Sequence, residues 1–251
     1  MDENSPARLA SESVAGRPMT KRELKQLRRL EKLGQEKQEG SRNTIRWIIL
    51  GVGVLLFVAF FGSLIFLTKQ NSQKPIAFSD VGWVRGSQSA KVTLTEFADF
   101  QCPACKAYHP LVLEVFKNYQ DKGLRLVFNH FPSTSHKNAF PAAMAAEAAG
   151  AQGKFFEMHD ILYERQDEWA QLPTVAAQEK FISYAVELRL DQEKFLRDLS
   201  EKALEEKIRA NQDEGINNGV SGIPTFFING KKIENPSTLA QFSKLIGQAL
   251  K

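Results

Sequence analysis

Two cysteines, Cys102 and Cys105, are the only cysteines in the 251-residue chain, and they form the motif Cys-Pro-Ala-Cys. Two thiols at this spacing can form a disulfide with each other and exchange it with a second pair of thiols. Pro103 suits the first position of a helix, because its φ is already helical and its missing N–H is not needed there. A helix N-terminus stabilises a thiolate. The motif therefore predicts a redox pair, with Cys102 as the exposed nucleophile and Cys105 as its more buried partner.

The same segment also has a metal-ligand pattern, since Cys102, Cys105 and His109 form Cys-x2-Cys-x3-His. Cys105 and His109 would share one face of a helix, because they are four residues apart. A structural zinc site normally has four protein ligands, and the three other histidines show no ligand spacing. A metal-binding or metallochaperone module using these three residues remains as an alternative, and otherwise His109 is expected at the surface.

An uncharged apolar run extends from Trp47 to Leu67. In a helix it would reach about 31 Å, which matches the hydrocarbon core of a bilayer. More basic residues lie on its N-terminal side than on its C-terminal side, which favours a cytoplasmic N-terminus. We therefore predict a cytoplasmic tail at 1–46, a single-pass anchor at 47–67, a tether at 68–77 and an extracytoplasmic domain at 78–251.

The formal net charge of +4 is unevenly distributed along the chain. The basic excess lies in the tail and the tether, whereas the region 78–251 contains slightly more acidic than basic residues. This balance argues against a nucleic-acid surface, which would require a basic patch. The region is long enough for one well-buried domain.

Hydrophobic patterns in this domain predict a strand, a helix and a second strand, at 92–98, 103–119 and 124–131. This order implies a right-handed parallel crossover. Helical patterns then continue over about 133–217, with individual helices predicted at 154–165, 175–188 and 191–214.

The end of the chain has the signals of a hairpin followed by a helix. Asn229-Gly230 is typical of a type I′ turn between two short strands. Ser237 is expected to cap the last helix, which should continue to about Leu250. The predicted order of elements is thus βαβ, a helical insertion, and ββα.

These features together resemble the DsbA family of extracytoplasmic thiol-disulfide oxidoreductases, notably its membrane-anchored members. The resemblance covers roughly residues 80–251. Three motifs support it: Glu96-Phe97-Ala98-Asp99-Phe100-Gln101 before the cysteines, Pro110 after them, and Ser221-Gly222-Ile223-Pro224-Thr225 before the hairpin. It implies an α/β thioredoxin-like fold with an inserted helical domain, preceded by a single N-terminal transmembrane helix.

The resemblance also implies roles for individual residues. Pro224 would be a cis proline beside the active-site disulfide, and the backbone of Ile223 would then be free to pair with an extended substrate. Glu96 matches an acidic residue behind the active site. As a buried carboxyl group with a raised pKa, it would handle the proton of Cys105.

The resulting expectation is an enzyme that introduces disulfides into exported proteins containing cysteines. A membrane partner of the DsbB type would reoxidise it, and no cofactor or resident metal is predicted. The loop residues Pro103 and Ala104 offer no group that favours the thiol form of Cys102, although Ala104 replaces the histidine of the best-known family member. The short tether leaves no room for a dimerisation module, so a monomer is expected. A reductase or isomerase on the same fold is the alternative enzyme.

Overall fold

The computed structural model describes residues 75–78 and 82–251, and helical residues at 21–22, 25–26, 28–30, 32, 49–61 and 63. The chain divides into two compact units, Met1–Ser72 and Gln73–Lys251. No helix among the described residues is both long and apolar enough to cross a membrane. The predicted tail, anchor and tether lie partly outside the described residues.

A five-stranded sheet lies at the centre of the second unit, in the order β1-β3-β2-β4-β5. The strands are β1 Trp83–Arg85, β2 Val92–Ala98, β3 Leu124–His130, β4 Thr225–Ile228 and β5 Lys231–Lys232. The strands β2 and β3 are parallel, with Val92 opposite Leu124, which confirms the predicted crossover. The strand β4 runs antiparallel to the other edge of β2.

Helices surround this sheet on the described part of the chain. They are α1 Pro103–Tyr119, α2 Ala139–Gly150, α3 Phe155–Glu164, α4 Gln166–Trp169, α5 Thr174–Glu187, α6 Gln192–Asp198, α7 Lys202–Asn217 and α8 Leu239–Ala249. The helices α2 to α7 form the predicted insertion between β3 and β4. The fold is therefore α/β and thioredoxin-like, with a helical insertion.

The predicted single helix at 191–214 is wrong, because the structure has two helices, α6 and α7, in that region. Apolar residues keep a helical spacing across the junction, so the sequence pattern does not reveal the break. At the end of α6 the Ser200 hydroxyl donates a hydrogen bond to the Arg197 carbonyl oxygen. The hydroxyl thus competes with backbone N–H groups for a carbonyl oxygen of the helix. The next residue, Glu201, has extended backbone with ψ of 118°.

The hairpin between β4 and β5 has the predicted turn. Asn229 and Gly230 both have positive φ, 48° and 74°, as a type I′ turn requires.

The predicted cap of the last helix is wrong by one residue, because Thr238 accepts the hydrogen bond from the Gln241 N–H. The neighbouring Ser237 hydroxyl is bonded instead to the Gln241 side chain.

The two cysteines lie where the sheet meets the helical insertion. They belong to one buried cluster with Phe100, which follows β2, and with Trp169 of the insertion. Phe155 and Met158 of α3 belong to the same cluster. A separate cluster packs α1 and α8 against the sheet through residues such as Val92, Leu94, Val115 and Phe242.

Two helical glycines provide a matched test of this packing. A Cβ atom on Gly150, at the end of α2, would overlap the Trp83 ring, whereas a Cβ atom on Gly247 in α8 would meet nothing within 4 Å. We expect Gly150→Ala to lower the free energy of unfolding by about 1–3 kcal/mol through overpacking. Gly247→Ala should raise it by about 0.5–1 kcal/mol, because alanine favours the helix. Urea unfolding of both variants checks this, and equal shifts would contradict the contact between Gly150 and Trp83.

Candidate functional site

Cys102 is the N-cap residue of α1, with extended backbone at φ −72° and ψ 122°. Pro103 occupies the first helical position, as predicted, and Cys105 lies in the first turn. Both cysteines are free thiols. The predicted exposure of Cys102 is largely wrong, because only 7% of this residue is accessible, compared with 0% of Cys105. The order of burial is as expected, but the reactive cysteine lies almost beneath the surface.

The short helix α4 is hydrogen-bonded to the loop that carries Cys102. Gln166 of α4 donates hydrogen bonds from its side-chain nitrogen to the carbonyl oxygens of Phe100 and Cys102, at 2.7 and 3.1 Å. The insertion is therefore fastened directly to the loop that carries the reactive cysteine. The sequence analysis missed α4 because four residues are too few for a periodic pattern.

The surroundings of Cys102 favour its thiolate. The hydrogen bond from the Cys105 thiol is the largest effect, and the backbone N–H groups of Cys105 and Ala104 add to it. Burial and the negative charge of Asp99 act in the opposite direction. The hydrogen bonds outweigh these two effects, and the pKa of Cys102 is lowered to about 6. At neutral pH this thiol is therefore mostly ionised, as a leaving group and nucleophile in disulfide exchange should be.

Cys105 has the opposite environment. Burial raises its pKa far above the ordinary value, and the hydrogen bond to Cys102 and the negative charge of Glu96 raise it further. Its thiol stays protonated at neutral pH. A proton must therefore arrive or leave whenever the Cys102–Cys105 disulfide is broken or formed.

Glu96 lies on β2 behind the cysteines and is 7% exposed. Burial raises the pKa of its carboxyl group to about 8, as expected for a carboxyl group behind the active site. It lines a cavity of about 10 Å³ together with His109 and His159, which has room for about one water molecule. The charge of Glu96 acts on Cys105, so its carboxyl group is a candidate for proton exchange with that thiol, and its catalytic role stays a prediction.

The Ile223–Pro224 peptide bond is cis. Pro224 is buried, and Ile223 packs against the cluster that contains both cysteines. The Thr225 hydroxyl donates a hydrogen bond to the Gly222 carbonyl oxygen at 2.6 Å, which closes the loop before β4. The cis bond of Pro224 is as predicted, while contact of this loop with a substrate through Ile223 stays a prediction.

A buried polar network that the sequence analysis missed holds the active-site loop. The Asp99 carboxylate accepts hydrogen bonds from the N–H groups of Gln101 and Ser133, and lies 2.6 Å from Nδ1 of His136. The Gln101 side chain donates to the Ala170 carbonyl oxygen and accepts from the N–H of Asn138, each at 2.6 Å. Polar loop residues give no periodic signal, so only their position beside the cysteine motif pointed to this region.

The expectation that His109 lies at the surface is wrong. The residue is 5% exposed, its ring is stacked on Tyr163 with centroids 5.0 Å apart, and burial lowers its pKa to about 4. The proposed metal set of Cys102, Cys105 and His109 is not brought together in the described part of the chain. His109 is instead grouped with His159 and Asp160.

His130, at the end of β3, belongs to a second buried polar network. Its Nε2 lies 3.0 Å from Oε1 of Glu147, a buried carboxylate that also accepts hydrogen bonds from Trp83 and Lys207. Burial opposes ionisation of Glu147, but these partners together lower its pKa. The network connects β1, β3, α2 and α7, and it involves neither cysteine.

Residues 79–248 match the family model described as thioredoxin. Similar solved structures include α-DsbA1 from Wolbachia pipientis, with 21% identity, a TM-score of 0.62, and coverage of 70% of this chain and 94% of that chain. BdbD from Bacillus subtilis in its oxidised form has 23% identity, a TM-score of 0.61, and coverage of 71% and 97%. A thioredoxin-like oxidoreductase from Silicibacter pomeroyi has 25% identity, a TM-score of 0.57, and coverage of 68% and 93%.

Sequence relatives are also found among much longer proteins. The Na(+)/H(+) antiporter NhaA 3 of Salinispora tropica is 38% identical over 167 residues, which are 66% of this chain and 24% of that protein. The antiporter NhaA of Herminiimonas arsenicoxydans is 31% identical over 160 residues, which are 64% of this chain and 24% of that protein. The chain therefore spans about a quarter of the length of these curated relatives.

The hydrogen bond between the two thiols gives a direct test of the site. We expect Cys105→Ala to raise the pKa of Cys102 above about 6, because the largest stabilising contact of the thiolate is lost. Cys105→Ser retains a donor at the same position, so its Cys102 should titrate at a lower pH than in Cys105→Ala. The ultraviolet absorbance of the thiolate, followed against pH in the full chain, measures both values. Identical titration curves for the two variants would contradict the hydrogen bond.

Proposed function

We propose, because the chain belongs to the thioredoxin family, that it is a thiol-disulfide oxidoreductase that donates its Cys102–Cys105 disulfide to other proteins. The observation that carries this proposal is the unequal pair of thiols. Cys102 has a pKa of about 6, whereas the pKa of Cys105 is strongly raised. Only one member of the pair is therefore suited to bond with a substrate.

The proposed reaction has two exchange steps. A substrate thiolate attacks Cys102, a mixed disulfide forms, and the bond between Cys102 and Cys105 breaks with its electron pair on Cys105. A second substrate thiolate then attacks the substrate sulfur of the mixed disulfide, and Cys102 leaves as a thiolate. The substrate gains a disulfide and the protein becomes a dithiol, so two electrons pass from substrate to protein.

Glu96 supplies the proton that this sequence needs. Because its pKa is about 8, its carboxyl group is mostly protonated at neutral pH and can donate to the sulfur of Cys105 as the disulfide opens. When the disulfide is formed again, Cys105 must lose a proton, and the ionised carboxylate accepts it.

The stabilised thiolate of Cys102 supports oxidation as the direction of the reaction. A stable thiolate lowers the free energy of the dithiol form relative to the disulfide form, so the disulfide is readily donated. A reductase or isomerase on the same fold would need a separate supply of electrons to keep the dithiol form populated. Net oxidation is therefore the proposed direction.

We further propose that the domain works outside the cytoplasmic membrane, as a monomer on a single-pass anchor at 47–67 with a cytoplasmic N-terminus. The apolar run and its basic N-terminal flank support this placement, and the described residues 49–61 are helical. The substrates would be exported polypeptides with cysteines, and a membrane partner of the DsbB type would restore the disulfide. Ion exchange is not part of the proposal, because the chain spans only about a quarter of the antiporters.

The proposal is tested with the full chain in its disulfide form. We expect rapid oxidation of a reduced two-cysteine peptide and poor rescue of a scrambled multi-disulfide protein, because the disulfide is donated easily. Cys102→Ser should abolish both reactions. Slow peptide oxidation together with efficient rescue would overturn the oxidase assignment in favour of an isomerase.

Glu96→Gln separates proton transfer from packing, since glutamine has nearly the same shape and no titratable proton. We expect it to slow peptide oxidation by about 100-fold, a usual contribution of general acid-base catalysis. The exposed Glu179→Gln in α5 is the control and should leave the rate unchanged. Stopped-flow kinetics at neutral pH measures the effect, and an unchanged rate in Glu96→Gln would remove Glu96 from the mechanism.

A second measurement on the same variant uses stability. The folded pKa of Glu96, about 8, lies above the ordinary value of 4.5, so the native state binds an extra proton between these values. Its contribution to the free energy of unfolding is therefore present at low pH and is lost as pH rises through this window, with a limiting slope of about 1.4 kcal/mol per pH unit. Glu96→Gln should remove this decline, whereas a purely steric effect would be independent of pH.

A further inference from the structure

His109, His159 and Asp160 form a cluster that the disulfide chemistry does not use. His109 belongs to α1, and the other two residues lie on α3. One possible ligand atom of each residue lies within 4.8 Å of those of the other two. The His159–Asp160 distance is 2.8 Å and the His109–Asp160 distance is 3.9 Å. Three groups able to ligate a metal thus converge from two different helices.

We propose that this cluster binds a divalent transition-metal ion of the zinc type. Two imidazole nitrogens and one carboxylate oxygen are ligands that such ions accept, with a fourth position left for water. Bonds of about 2.0–2.1 Å in tetrahedral geometry place ligand atoms roughly 3.3 Å apart. The two distances lie on either side of that value, and no pair of ligand atoms is more than 4.8 Å apart, so modest side-chain movements would complete the site.

The unsatisfied state of His109 points to the same conclusion. Its Nε2 atom is buried and has no hydrogen-bond partner in the described structure, although the residue is only 5% exposed. Leaving such an atom unpaired costs about 1–3 kcal/mol. A metal ion between His109 and Asp160 would bond this nitrogen and remove that cost.

Arg85 influences how tightly the cluster is expected to hold a metal ion. Its guanidinium group donates to Oδ2 of Asp160 at 2.6 Å and lies 4.3 Å from the centre of the Phe156 ring. This contact orients the carboxylate and leaves Oδ1 facing the histidines, in the way that outer partners orient metal ligands. The positive charge of Arg85 also repels a cation. The ion is therefore expected to exchange with solvent, which reaches the partly exposed side chain of Asp160.

The position of the cluster gives the bound ion a structural effect. His109 lies one helical turn after Cys105 on α1, while α3 is part of the helical insertion. A metal bonded to both helices would cross-link the helix that carries the redox pair to the insertion. Since it would bind the folded state alone, it should raise the melting temperature in proportion to the logarithm of its concentration.

The experiment uses the full chain with Cys102→Ser and Cys105→Ser, so that no thiolate can bind the metal. After treatment with a chelator, we expect calorimetric titration to give one equivalent of Zn²⁺. Co²⁺ should give absorption bands without a sulfur charge-transfer band. Asp160→Asn and His109→Phe in this background should abolish binding. His109→Phe preserves an aromatic ring against Tyr163, and the unliganded melting temperatures of both variants report whether they fold.

His136→Ala is the matched control, because His136 also lies beside a buried carboxylate, Asp99, but outside the cluster. It should retain the equivalent of metal and the rise in melting temperature. No binding in the cysteine-free protein, or binding that survives both Asp160→Asn and His109→Phe, would overturn the proposal. Neither result depends on disulfide exchange, so the oxidoreductase proposal stands or fails separately.

Discussion

The hydrogen bond between Cys105 and the thiolate of Cys102 is the interaction on which the rest of the site depends. The two side chains are chemically identical, and only their positions on α1 distinguish them. Cys102 precedes the helix, where backbone N–H groups are unpaired, whereas Cys105 is completely enclosed by the core. The helix start and the buried cluster are therefore both needed to produce one anionic sulfur and one protonated sulfur.

The helical insertion holds this arrangement in place through polar contacts as well as apolar ones. Gln101, Asn138 and Gln166 connect the active-site loop to the start of α2 and to α4 by buried hydrogen bonds. Buried polar groups are costly when they lose their partners, so such a network fixes one geometry of the loop. The insertion thus helps to fix the position of the loop that carries Cys102.

Local signals in the sequence predicted the elements that support the site. The bounds of β2 and α1 were correct, because alternating apolar residues and Pro103 mark them without reference to distant parts of the chain. Features that depend on tertiary packing were not predictable. His109 was placed at the surface because nothing in its neighbourhood indicates the Tyr163 ring that covers it. The three-residue strand β1, the short helix α4 and the break at Ser200 gave no periodic signal.

The position of β4 beside β2 has a consequence for how the chain folds. The N–H of Thr93 is bonded to the side chain of Asn229, which lies 136 residues later. The central strand therefore stays an edge strand until almost the whole chain has been synthesised. Contacts of such long sequence separation slow folding. A chain that emerges from its N-terminal end would thus present both thiols to premature oxidation while the sheet beside them is still incomplete.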